Sequence, residues 1–211
     1  MTCGFDLDHF VEILQAARAG GYRFAFFEPP FEAGTVILRH DVDLSLEAAL
    51  RVAELEAEAG AAATYFLMRR SEFYNLDSAS GEAALERLRE LGHRVGVHAI
   101  WPRVDHDERL DPVLAWHNPD PEYMREPVEG FVNAMEAPWA DVYRSDSNQH
   151  WRQGCPHEEL AAGGFERLQL LTHPEIWAYP GSTMRQTMLA MLDAERERRL
   201  EQLAADRIDL S

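Results

Sequence analysis

Asp41 and Asp43 stand two residues apart in the tetrad His40-Asp41-Val42-Asp43, directly after the run Thr35-Val36-Ile37-Leu38-Arg39. Two carboxylates held that close raise each other's proton affinity unless a cation neutralises one of them. One as metal ligand and the other as general base resolves the conflict. The competing use of Asp here is to cap the helix that starts near Ser45, although Ser45 is itself a competent cap.

Three histidines could complete such a site. His98 closes the run Arg94-Val95-Gly96-Val97, and a neutral imidazole is the commonest protein ligand for zinc and similar ions. His117 sits between Trp116 and the rigid polar turn Asn118-Pro119. Each could equally be a hydrogen-bonded core residue, or, for His117, the start of a helix. His173 lies between Leu170-Leu171-Thr172 and Pro174, where a positioned imidazole could serve as general acid toward a leaving amine or alcohol. Asp146 is a candidate to orient or tune that imidazole. His150, Cys155 and His157 match no standard zinc spacing and read as an ordinary loop, and nothing near Cys155 resembles a nucleophile's surroundings. Gly20-Gly21 and Gly163-Gly164 follow helices rather than joining a strand to a helix, so no nucleotide cofactor is indicated.

These groups need elements to hold them. Asp6 or Asp8 can cap a helix with Phe10, Ile13, Leu14 and Ala17 on its inner face, stopped by Gly20-Gly21. Tyr22 to Phe27 reads as a short strand. Thr35 to Arg39 reads as a strand buried on both faces, with the tetrad just beyond its end and a local turn bringing both carboxylates to one pocket. Ser45 caps the next helix, with Leu46, Ala49, Leu50, Ala53 and Leu55 inside. Ala63 to Met68 is a strand, and Leu85, Leu88 and Leu91 mark a helix closed by Gly92. Strands are also expected to lead into His98, into His117, from Trp139 to Tyr143, and from Glu166 to Leu171. An amphipathic helix rich in Arg and Glu runs from about 182 to 206. Its Met184, Met188, Leu189, Met191, Leu192, Leu200 and Leu203 either pack on the body of the protein or form a homodimer contact. Strands alternating with helices imply a mostly parallel sheet or barrel, whose ligands bind at the C-terminal strand ends. Nearly every polar candidate falls there.

Bulk properties narrow the classes. A chain of 211 residues suits one domain spanning 1–211. Lys and Arg total 20 against 37 Asp and Glu, and a net charge of −17 disfavours nucleic acid and anionic membrane surfaces as partners. No apolar run approaches a membrane span, and Met1 to Asp6 lacks the features of a signal peptide, so the expected location is cytoplasmic. Cys3 and Cys155 are expected to be free thiols.

In their order, these motifs resemble the polysaccharide deacetylase-like proteins of the NodB-homology type, in particular an uncharacterised branch carrying His-Asp-Val-Asp. Leu38 to Asp43, with the segment through Ala63-Thr64-Tyr65-Phe66-Leu67, resembles the first motif of the family. Leu91 to His98 resembles the second, and Trp116-His117-Asn118-Pro119 stands where the third is expected. Ser145-Asp146-Ser147-Asn148, with Trp151 and Arg152, resembles the fourth, and Leu170 to Pro174 the fifth. The match covers about residues 35 to 180.

The resemblance implies a distorted (β/α) barrel and a metal-dependent hydrolase that removes an N-acyl or O-acyl group from a sugar or sugar-like metabolite. Asp41 would be the base, Asp43 and His98 metal ligands, and His173 the acid, tuned by Asp146. A divalent ion, zinc by default, is the implied cofactor. Well-studied members carry a second His four residues after the first, and here that position is Pro102. His117 is the replacement ligand, with His106 behind it. The segment from 99 to 116 is short, as if a helix had been lost. His40, Asn118, Asn148 and Trp151 are the candidate substrate contacts. The alternatives are a non-catalytic carbohydrate-binding relative, or a deformylase or other small-amide hydrolase on the same platform.

Overall fold

The computed structural model describes residues 3–30, 32–136 and 139–209; Met1 and Thr2, which entered the reading of the chain's start, lie outside them. The fold is α/β, built on a curled parallel sheet. Its strands are β1 (Arg23–Ala25), β2 (Thr35–Val42), β3 (Thr64–Leu67), β4 (Arg94–Ala99), β5 (Val113–Trp116), β6 (Val132–Asn133), β7 (Val142–Ser145) and β8 (Arg167–Thr172). They lie in the order β6-β5-β4-β3-β2-β8-β7. β1 pairs with Thr35–Ile37 of β2 and β3 with Arg39–Val42, so the two short strands share one side of the long one. The helices are α1 (Leu7–Ala19), α2 (Leu46–Glu58), α3 (Ala79–Glu90), α4 (His157–Ala161), α5 (Pro174–Ala178) and α6 (Met184–Ala205).

β2 runs three residues further than the β-branched run suggests. Pairing with β3 and β8 carries the ladder through His40, so His40 and Asp41 belong to the strand and not to a turn beyond it. This changes how the two carboxylates meet. Successive strand side chains point to opposite faces, so residues two apart share one. Asp41 and Asp43 converge through this alternation, without a special turn.

The same period sorts the core into two layers. Val36, Leu38 and Val42 of β2, Tyr65 and Leu67 of β3, Val95 and Val97 of β4 and Leu168 and Leu170 of β8 face outward, packing with α1 and α2. Ile37, Phe66, Val113 and Ala115 face into the curl, where they meet Phe27, Ala134 and Trp139. Gln169 of β8 reaches across to donate to the Ala134 carbonyl at 2.8 Å. Gly96 faces the same interior, and a Cβ there would lie 2.8 Å from the Phe66 ring, the Val113 side chain and the Val113 carbonyl. Because one of those neighbours is backbone, Gly96→Ala should destabilise the fold by about 1–3 kcal/mol, the usual cost of overpacking. Urea denaturation measures it, and an unchanged midpoint would mean the curl is looser than described.

The helices begin where small polar residues can cap them. Asp6, rather than Asp8, accepts from the His9 N–H; Ser45, Ser78 and Thr183 do the same for α2, α3 and α6. Between β4 and β7 the described residues form no α-helix, and the outward Leu114 and Trp116 are covered by Trp101, Val104, Leu110, Val128 and Phe131. The strand expected from Trp139 to Tyr143 is displaced to Val142–Ser145, because Trp139 turns into the curl and donates to the Asn133 carbonyl at 2.7 Å. The apolar face of α6 is divided: Met184, Met188 and Met191 pack inward, whereas Leu189, Leu192, Leu200 and Leu203 remain exposed. Among the described residues no helix is long and apolar enough to cross a membrane.

Candidate metal centre

The inward register places Asp41 near the end of β2, Asp43 just after it, His98 near the end of β4, His117 after β5 and His173 after β8 around one mouth of the curl. Three of these groups form a tight triangle. His98 Nε2 is 3.0 Å from Asp43 Oδ1, His117 Nδ1 is 3.1 Å from the same oxygen, and the two imidazole nitrogens are 3.3 Å apart. The other ring nitrogen of His98 donates to the Ala115 carbonyl at 2.9 Å, which fixes a proton on Nδ1 and makes Nε2, once it gives up its own proton, the nitrogen that can face an ion. Asn118 stands 3.2 Å from His117 Nε2 and can serve either tautomer through its amide N–H or its carbonyl.

The donor set fits a divalent ion. Ligands at about 2.0–2.1 Å from one ion, at angles between right and tetrahedral, are roughly 2.9–3.4 Å apart, which is the spacing found. One carboxylate and two imidazoles on one side, with the other positions open, is a donor set typical of hydrolytic zinc and related first-row metals. Burial pushes the Asp43 carboxyl up, but hydrogen bonds from His117 and His98 outweigh it and hold the group well below the usual carboxylate range. His117 is correspondingly raised, chiefly by its hydrogen bond to Asp43.

Asp41 is placed differently, although it lies on the same face. Arg39, one position deeper on that face, grips both of its oxygens at 2.8 and 2.7 Å, and both residues are buried. The guanidinium also lies over the Phe66 ring, 5.2 Å from its centroid. Burial pushes Asp41 up, while the Arg39 charge and then His98 pull it down further, so the carboxylate stays ionised. Its Oδ2 is 3.9 Å from His98 Nε2. Arg39 thus holds a charged carboxylate beside the triangle without making it one of the triangle's corners. The sequence places Arg39 inside a strand, and only the inward register shows its purpose.

His173 is fixed from below by Asp146. Its Nδ1 lies 2.6 Å from Asp146 Oδ1, and its backbone N–H donates to Oδ2 at 3.0 Å. Trp177 Nε1–H also donates to Oδ2, at 2.7 Å. The fully buried Asp146 therefore sits in a cradle of donors, and the His173 proton rests on Nδ1. Burial would lower the imidazolium, but Asp146, Glu175 and Asp41 outweigh it and bring His173 up to about 10. The folded value exceeds the unfolded one of about 6.5, so this pair's stability is fully present below about pH 6.5 and lost as pH rises toward 10. The wild-type urea midpoint should thus fall more steeply between neutral pH and pH 10 than that of His173→Gln. Parallel curves would show that the pair does not titrate as described.

Glu175, two residues on, belongs to the same environment. It is buried, its Oε2 has no hydrogen-bond partner among the described residues, and burial pushes its carboxyl up to about 8. His173 pulls it down and Asp43 pushes it up. Tyr74 closes this side of the site, donating to the Val42 carbonyl at 2.7 Å while accepting from the Met68 N–H. The only sequence signal for Glu175 is its adjacency to His173-Pro174.

The remaining sequence candidates lie elsewhere. His40 is fully buried on the outward face of β2, between Glu56 at 2.6 Å and the Thr172 hydroxyl at 2.7 Å, and it stacks on Tyr65. That face is packed under the helices, so its side chain has no route to a ligand at the mouth. Trp151 is buried against Phe5 and Trp177. Asn148 is exposed, in the left-handed conformation at φ 58°, and Asn118 likewise at φ 43°. His106 is exposed beside Phe131, so His117 and not His106 completes the triangle. A cleft of about 330 Å³ reaches His98 past Arg69, Arg70, Trp101, Pro102 and Arg103. A larger hollow of about 980 Å³, between α2, α3 and α6, has none of the triangle on its walls. Comparison with family models, with curated proteins and with solved structures finds no match to this chain.

Proposed function

We propose that the chain is a metal-dependent hydrolase of the deacetylase type, a polysaccharide deacetylase-like protein with a NodB-type barrel, acting on an N-acyl or O-acyl group of a sugar or sugar-like metabolite. The observation that supports this most is the triangle of Asp43, His98 and His117, flanked by an ionised carboxylate and a protonated imidazole. Those three residues would hold a divalent ion, zinc by default, which supplies Lewis-acid polarisation of the acyl carbonyl and a more acidic water.

The chain's own groups divide the proton work. Asp41, kept ionised and aimed by Arg39, takes a proton from the attacking water. His173, kept protonated by Asp146, delivers one from Nε2 to the leaving nitrogen or oxygen. The acyl carbon gains the water oxygen and loses its bond to the sugar, so acid and base end with their protons exchanged. Bulk water then resets them.

The cleft beside His98 favours a particular kind of substrate. Arg69, Arg70 and Arg103 line it together with Asp105, which pairs with Arg70 at 3.7 Å, and with Trp101, whose ring stacks on Tyr123; Arg69 in turn pairs with Asp107 at 3.9 Å. Guanidinium groups suit a carboxylate or phosphate, and an indole suits a sugar face. The test incubates zinc-loaded protein with N-acetylated, O-acetylated and N-formylated sugars, with and without an acidic group, and measures the acid released. Acyl release that chelation abolishes is expected, fastest from an anionic sugar. Full metal occupancy with no release from any of them, while sugar binding persists, would replace this reading with a carbohydrate-binding one.

A further inference from the structure

A second group of ligating side chains lies away from the mouth of the curl. Cys3 and Cys155, far apart in the sequence, come together with His9 of α1: the two sulfurs and the His9 ring nitrogen lie within 4.8 Å of one another. His9 Nε2 is 3.3 Å from Cys155 Sγ. The other ring nitrogen of His9 faces Glu12 Oε2 at 2.8 Å. A carboxylate there fixes the proton on Nδ1 and turns the Nε2 lone pair toward the sulfurs, the arrangement that commonly supports a metal-bound histidine. His157 approaches from α4: its ring meets His9 edge-on at 5.5 Å, and its ligand nitrogen lies within 4.8 Å of those of His9 and Glu12.

We propose that Cys3, His9 and Cys155 form a second metal site of the thiolate–imidazole kind that takes zinc and clamps the segment before α1 to the loop before α4. The spacing suits it. Sulfur and nitrogen donors on one tetrahedral zinc, at about 2.3 and 2.0–2.1 Å, are roughly 3.3–3.8 Å apart, and the His9 to Cys155 distance is already at that value. One side of the group is walled by aromatics: Trp177 stacks on His9, Phe5 packs on Trp177, and Trp151 stacks on Phe5. The two cysteines are 152 positions apart, so no sequence spacing could announce the site.

Its purpose is to hold a scaffold. Trp177, which lies against His9, is the residue whose indole N–H donates to Asp146, the partner of His173. Clamping Cys3 and Cys155 around His9 fixes one wall of the Trp177 pocket and, through it, the seat of Asp146. Binding releases the two thiol protons to solvent, because the thiolates are the ligands.

Cobalt titration of the full chain, reduced and metal-free, tests this independently of the proposed hydrolase site, which has no sulfur. Wild type should develop a near-ultraviolet thiolate-to-cobalt charge-transfer band that is complete by two ions per chain, because the triangle also takes cobalt. Asp43→Asn should retain the band and the Cys3→Ser, Cys155→Ser double variant should lose it. Should that variant not fold, thiol alkylation of the wild type decides: zinc should protect both cysteines and a chelator should expose them. No band in wild type, a band that survives in a folded double variant, alkylation indifferent to zinc, or a Cys3–Cys155 disulfide that persists under reductant would each overturn the proposal.

Discussion

Asp41→Asn should lower turnover of the metal-loaded protein by about 10²–10⁴-fold, the usual contribution of a positioned acid or base, while leaving the metal content of the triangle unchanged. Asp43→Asn should act in the opposite order, emptying the triangle first and losing turnover as a consequence. The separation follows from geometry: Asp43 Oδ1 is a corner of the triangle, 3.0 and 3.1 Å from two imidazole nitrogens, whereas both Asp41 oxygens are gripped by Arg39. Bound metal after dialysis, measured beside acyl release, distinguishes the two. If Asp41→Asn also stripped the ion, or left turnover intact, the assignment of ligand and base would be wrong.

The second large effect concerns stability. Arg39 and Asp41 form a buried, doubly hydrogen-bonded ion pair inside the curl, and Arg39→Leu would leave a carboxylate there without its counter-charge. Breaking such a pair from one side costs about 3–5 kcal/mol, whereas replacing both partners costs far less. Arg39→Leu should therefore show a large drop in urea midpoint, and the Arg39→Leu, Asp41→Asn double variant should recover most of it. The sign with pH is also fixed. In wild type the folded value of Asp41 is lowered, so its contribution is present above the unfolded value of about 3.9 and is lost as pH falls through the folded one. Without Arg39, burial raises Asp41 instead, so the deficit of the variant should shrink as pH falls and Asp41 takes a proton. Equal, additive losses in the two single variants would mean that the pair is not coupled. The same physics bears on Asp41→Asn, which leaves Arg39 uncompensated; its turnover belongs at a temperature well below its unfolding.

Much of the scaffold was legible because it obeys short-range rules. The apolar period of α1 and α2, the Ser45 cap and the continuous apolar character of β2 can each be read within one turn or one strand. The placement of polar groups at C-terminal strand ends was legible for the same reason. Where a strand stops was not, because β2 is prolonged by neighbours that follow it by tens of residues, β3 through Arg39↔Thr64 and β8 through His40↔Thr172. That extension decides which side chains of the tetrad face inward. It sends His40, a candidate substrate contact by sequence, outward to Glu56, and it turns Arg39 into the partner of Asp41. Glu175 and the Cys3, His9 and Cys155 group were hidden by a different cause. Their meaning depends on burial and on contacts across the whole chain, which residue types alone do not encode.

The central claim is that Asp43, His98 and His117 are a metal centre, and anomalous diffraction at the zinc edge from crystals grown with zinc addresses it most directly. The predicted result is an anomalous peak within about 2.0–2.2 Å of Asp43 Oδ1, His98 Nε2 and His117 Nδ1, with neither Asp41 oxygen bonded to it. A folded, zinc-equilibrated protein with no peak among those three atoms would contradict the account.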